Sequence, residues 1–176
     1  IAALAFYESH LRPIVDWQDL SLPVQQLGAM LKDQEASYTA VVEGNYFINR
    51  VLPEGVVTPL SPGVLSEYAA PFQTEKSRKL LWQYLMELPL GQRESDVISL
   101  ISAYSQWLTI SPQPKLLLYA IPGFITTVDT VAWAKDAVRH VKLVCLEDAL
   151  HFAQESMPDV FSSALSQWWS HSRGPV

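Results

Sequence analysis

Two side chains in this sequence are placed for acid–base chemistry. Glu8 closes the apolar run "IAALAFY", and His151 follows the apolar run "VKLVCLE" after a short turn. A carboxylate straight after a core strand is costly to bury unless it is paired. A histidine between Leu150 and Phe152 likewise needs a partner or a task. A carboxylate that accepts a bond from one ring nitrogen fixes the tautomer, and it stabilises the imidazolium formed when the other nitrogen takes a proton. The pair therefore reads as a general base with its supporting acid. A purely structural Glu–His contact in a core has the same residue types and stays open at this point.

Three strands must bring the two together. The continuous apolar runs 1–7, 115–121 and 141–147 are expected to be parallel strands covered on both faces. In open sheets of this kind, sites form at the carboxyl ends of strands, which is where both residues fall. Between the second and third runs, residues 126–140 read as a helix with Val128, Val131, Ala132 and Val138 on its inner face. Residues 158–170 read as a closing helix with Pro158 in its first turn. Residues 22–33, 37–52, 61–72, 75–88 and 94–110 read as helices punctuated by prolines. The division is then 1–13, a core strand with the acid; 14–110, a helical insertion; and 111–176, the last core strands. A three-stranded sheet opening on such a strand would leave a long apolar edge, so further strands are expected before residue 1.

The bulk numbers exclude several functions. A composition of 49% hydrophobic and 17% charged residues is ordinary for a globular chain. The net charge of −6, with scattered Lys and Arg, argues against nucleic acid and anionic membrane partners. No run is long and apolar enough for a membrane span. Cys145, the one cysteine, is expected to fill core. "IAALAFY" lacks the flanks of a secretory signal, so the expected location is the cytoplasm. Asp16 and Trp17 read as a helix-opening acid and a packing ring. His10, His140 and His171 have no ligand spacing on a helix.

The blocks "AFYESHLRPIVDW", "EGNYFINRVLP", "LWQYLMELPLG", "PKLLLYAIPGF" and "LHFAQESMPDV" together resemble the C-terminal half of haloalkane dehalogenases. The resemblance runs in order from residue 1 to about 170. Its most specific part is the hydrophobic-His-aromatic-x-Gln-Glu turn at 150–155; next comes the acid ending the first strand, Glu8. The loop "IPGFITT" has no acid of its own, so Glu8 holds that position.

The resemblance implies an α/β-hydrolase fold, a mostly parallel sheet flanked by helices, with residues 14–110 as a helical cap. It implies that an Asp attacks the halogen-bearing carbon, that His151 activates the water hydrolysing the resulting ester, and that Glu8 supports His151. Phe47, Val51, Tyr84, Leu85 and Leu88 of the cap, and Phe124 and Ile125 of the core, are implied to line the substrate pocket. No metal or organic cofactor is implied. The partners are a small halogenated aliphatic substrate, water and halide, in a monomer or weak dimer. The family's His-Asp-Trp-Gly and His-Gly-Asn-Pro turns are both missing here, so nucleophile and halide donors are expected in an N-terminal half not among these residues. Leu85 also stands where the family commonly has proline. Three rival readings remain: a coelenterazine-type luciferase, an epoxide hydrolase using cap tyrosines from among Tyr38, Tyr46, Tyr68 and Tyr84, and a hydrolase-like binding domain.

Overall fold

The structure is a computed structural model and describes residues 1–14, 16–90 and 95–172. The three apolar runs form strands β1 (Leu4–Tyr7), β2 (Lys115–Tyr119) and β3 (Val141–Cys145). They pair in parallel in the order β1-β2-β3, with Leu4 opposite Lys115 and Lys115 opposite Val141. Among the three described strands, only β2 is covered on both faces. Leu116 and Leu118 pack with Ala120 and Trp168 on one side, while Leu117 packs with Leu11, Leu108, Ala134 and Val138 on the other. That alternation follows from the two-residue period of a strand. The flanking strands β1 and β3 are only partly covered, and Cys145, expected in the core, is exposed at the end of β3. A continuous apolar run does not distinguish a central strand from an edge one, which is why the expectation failed there.

Between β1 and β2 the described chain is helical. A 3-10 turn (Trp17–Asp19) is capped by the Asp16 carboxylate, and Trp17 packs across Gly28. Helix α1 (Leu22–Leu31) begins at a Ser21 cap with Pro23 in its first turn. The expected helix over 37–52 is broken. α2 (Gln34–Tyr38) runs into a wide turn at Thr39–Glu43, and a second wide turn at Phe47–Val51 runs into the short α3 (Leu52–Glu54). The break falls at Gly44-Asn45, where Asn45 takes φ 50, a left-handed conformation that asparagine tolerates. α4 (Pro62–Ala69) tightens into a 3-10 turn at Ala70–Phe72, which contains Pro71. α5 (Glu75–Met86) starts with a capping box between Thr74 and Ser77. α6 (Asp96–Ile110) is capped by Ser95; the expected start at Glu94 lies outside the described residues. Leu27, Leu31, Val41 and Leu85 form the centre of this helical region.

The β2–β3 crossover is α7 (Val128–Ala137). Its buried face is Thr130 and Ala134, continued by Val138; Val128 and Ala132 face solvent, a correction of about one residue in helical phase. His140 lies beyond the helix in the turn to β3, exposed and at φ 54. After β3 come the one-turn α8 (Ala153–Ser156) and α9 (Pro158–Ser172), whose Trp168 closes the core. His171 is in the last turn of α9. No helix among the described residues is long and apolar enough to cross a membrane.

Candidate active site

Glu8 leaves β1 with φ 44, a left-handed conformation rare for a side chain of its size. The bend turns its carboxylate inward, where the residue is 8% exposed. The charge is met by main-chain donors of the loop after β2. Oε2 accepts the N–H of Phe124 at 2.9 Å and of Ile125 at 2.7 Å, and Oε1 accepts that of Thr126 at 3.3 Å. Consecutive amides converging on one carboxylate fix it in place. Gly123 makes the approach possible, since a Cβ there would lie 2.0 Å from the Thr126 carbonyl and 3.2 Å from Glu8 Oε1. Thr126 locks the loop to the strand end: its Oγ1 accepts from Ser9 N at 3.0 Å.

The last partner of Glu8 is His151. Nδ1 lies 3.0 Å from Oε2, with the His151 and Glu8 side chains 19% and 3% exposed. The carboxylate therefore holds the proton on Nδ1 and leaves Nε2 as the basic nitrogen. Among the described residues Nε2 has no hydrogen-bond partner, and His151 forms part of the wall of a cleft of about 660 Å³. Leu20, Pro23, Gln26, Gly123 and Phe124 also line that cleft. The imidazole is sandwiched between rings: Phe124 at 4.9 Å and Phe152 at 4.6 Å, the latter edge-on. Leu150, just before it, takes φ 58, and its carbonyl accepts the Tyr7 hydroxyl. Burial, then the nearby Glu8 charge, pushes the Tyr7 phenol far above its ordinary range, so it stays a donor. Among the described residues no three His, Cys, Asp or Glu side chains gather as metal ligands.

The apolar candidates divide. Phe124 lines the cleft and stacks on His151, and both Phe124 and Val51 line a small adjoining cavity of about 40 Å³. Ile125 meets the site through its backbone amide. Leu85 is 3% exposed at the centre of the helical cluster, with Leu88 packed against it, so neither is on the wall of this cleft. Tyr84 is 55% exposed on the outer side of α5, and Phe47 is half-buried away from either cavity. Gly123, Thr126 and Tyr7 were not singled out from sequence. The Pro-Gly pair at 122–123 was the available signal for a tight loop.

A parallel sheet whose strand ends carry a carboxylate–imidazole pair beside a cleft bordered by helices is the arrangement of part of an α/β-hydrolase fold. No family model matches the chain. Individual proteins do. A haloalkane dehalogenase of Agrobacterium fabrum is 30% identical over 174 residues, 99% of this chain and 57% of the relative. One of Sphingobium indicum is 27% identical, covering 94% of this chain and 55% of its own length. The crystal structure of the haloalkane dehalogenase DatA from Agrobacterium tumefaciens C58 superposes with a TM-score of 0.86 at 30% identity, over 97% of this chain and 58% of that one. DbeA from Bradyrhizobium elkani USDA94 superposes with a TM-score of 0.91 at 26% identity, over 98% and 60%. The chain is thus a homologue of haloalkane dehalogenases along nearly its whole length, and it spans well under two thirds of theirs.

Proposed function

We propose that this chain is the cap and base-bearing part of a hydrolase that splits carbon–halogen bonds in small haloalkanes, with residues 14–110 as the cap. An aspartate carboxylate attacks the halogen-bearing carbon; the C–O bond forms as the carbon–halogen bond breaks, and halide leaves. Nε2 of His151 then takes a proton from water, and the hydroxide attacks the ester carbonyl. The ester's C–O bond to the aspartate carbon breaks, and the leaving alkoxide takes up a proton and departs as the alcohol. The carboxylate is restored, and the imidazolium returns its proton to solvent, so one proton is released with each halide. Glu8 holds the Nδ1 proton and stabilises the imidazolium between these events. The 176 residues hold no His-Asp-Trp-Gly turn, so the nucleophile comes from polypeptide outside them.

The observation that carries this reading is the 3.0 Å contact between Glu8 and His151 Nδ1, with His151 on the wall of a cleft that Leu20, Pro23 and Phe124 also line. A haloalkane offers almost no hydrogen-bonding handle. It binds by burial, at about 25 cal/mol per Å² of apolar surface, and Phe124, Leu20 and Pro23 supply such surface in the cleft that His151 lines. The decisive experiment is His151→Phe in the complete enzyme. It should release one halide per site and then stall, with the alkyl ester visible by mass spectrometry. Repeated turnover by that variant would exclude the imidazole as the water-activating base.

A further inference from the structure

The strand side of the site fixes His151 through Glu8, but the segment just after it is held from the other side. Phe152 N donates to Gly55 O at 2.9 Å. Val57 N donates to Ser156 Oγ at 3.0 Å. The Tyr68 hydroxyl donates to Glu155 Oε1 at 2.7 Å. Residues 152, 155 and 156 are thus each bonded to the helical region between β1 and β2. α8 is a single turn of four residues. A helix that short has almost no stability of its own, so its place is dictated by what it is tied to.

Moving α8 would move the imidazole. Phe152 lies with its edge on the His151 ring, and it packs so closely on the backbone of residue 55 that a Cβ there would come within 2.6 Å of the ring. On the other side Leu150 is held left-handed, a conformation that relaxes once its flanks are released. Of the three ties, Tyr68–Glu155 is made by two side chains and is the one a substitution can cut cleanly. The bond to Glu155, then burial, holds the Tyr68 phenol above its ordinary pKa, so it remains a donor at neutral pH.

We propose that Tyr68 is a positioning residue for His151. Acting through Glu155, it anchors the one-turn helix and sets how far the imidazole reaches into the cleft. This rests on His151 being the base of the second chemical step. It gives Tyr68 the task of aligning that step, although the residue touches no reacting atom.

The test separates the two steps in the complete enzyme. Tyr68→Phe should leave the first-turnover halide burst unchanged and lower the steady-state rate on the order of tenfold. Glu155→Leu should do the same from the other side, so the test survives if one variant folds badly. Tyr68→Phe/Glu155→Leu should be no slower than either alone. Glu155→Gln still offers an amide oxygen to the tyrosine and should stay within about twofold of wild type. A wild-type steady-state rate in Tyr68→Phe, or equal slowing of burst and steady state, would overturn the inference. His151→Phe run in parallel tells the two failures apart. If it turns over repeatedly, the reading of the site is wrong; if it stalls while Tyr68→Phe behaves as wild type, only the role of Tyr68 is wrong.

Discussion

The two ends of the sheet each bury a charge, and they use it differently. At the amino end of β2, Lys115 is fully buried. Its Nζ donates to the carbonyls of Ser111 at 2.9 Å, Gln113 at 3.0 Å and Arg139 at 3.0 Å. An ammonium has three donors, and all three are used. At the carboxyl end, Glu8 collects three main-chain N–H groups and then an imidazole. Both arrangements meet the cost of removing a charge from water. The last partner makes the difference. A carbonyl cannot titrate, so Lys115 pins the end of α6 to the turn before β3 and nothing more. An imidazole can, so at the other end the same compensation holds a titratable ring on the wall of a cleft.

Cutting the acid–base end should have the largest effect. Glu8→Gln places an amide where three N–H groups point, and it removes the charge that stabilises the imidazolium. The expected loss in steady-state rate is about 10³-fold, with halide burst retained. An unaltered rate would mean that the contact is structural only. Gly123→Ala attacks the same end through the backbone. Its Cβ would meet the Thr126 carbonyl at 2.0 Å, so the loop must shift and the amide cradle with it. A rate loss of about 10²-fold is expected, together with about 1–3 kcal/mol of stability. A wild-type pH–rate profile in that variant would show that the cradle does not set the acid.

At the amino end the prediction is reversed. Lys115→Met leaves three carbonyls without their donor around a buried side chain. We expect a loss of about 2–4 kcal/mol in denaturant unfolding, with kcat per folded molecule unchanged. A comparable fall in kcat would mean that the two ends are coupled through β2, and the contrast drawn above would fail.

The sequence makes one end of this comparison legible and hides the other. Glu8 and His151 stand out because an acid and an imidazole at the ends of apolar runs demand a reason. Lys115 looks like an ordinary polar flank, since only the fold reveals that three carbonyls surround it. The amides of Phe124, Ile125 and Thr126 are invisible for a related reason: a backbone donor has no residue type. Phe124 and Ile125 were legible only as apolar side chains, and for Ile125 the contribution to the site is its N–H. The strands were legible as runs of apolar residues, but not which of them lies central, so Cys145 went to the wrong side. In the helical region prolines mark where helices begin and end, but the Ser21, Ser61, Thr74 and Ser95 caps and the break at Gly44-Asn45 show only in the structure.

His10 sharpens the comparison with a smaller effect. It lies two residues beyond Glu8, and its buried Nε2 has no hydrogen-bond partner among the described residues, so this imidazole lacks the compensation that both buried charges have. Burial lowers its pKa most; the neighbouring His151 lowers it further, and Glu8 opposes them. In the unfolded chain a histidine takes its proton near pH 6.5. Below that pH the unfolded state binds a proton that folded His10 refuses, so stability falls as the pH drops through 6.5 and levels off only below the folded value. Above about pH 7.5 the residue contributes nothing to the slope. His10→Leu should therefore lose less stability than wild type between pH 7 and 5, whatever its urea midpoint at pH 8, the other histidines being common to both proteins. Parallel curves for the two would mean that His10 is as easily protonated in the fold as in water, and that the carboxyl end of the sheet compensates it after all.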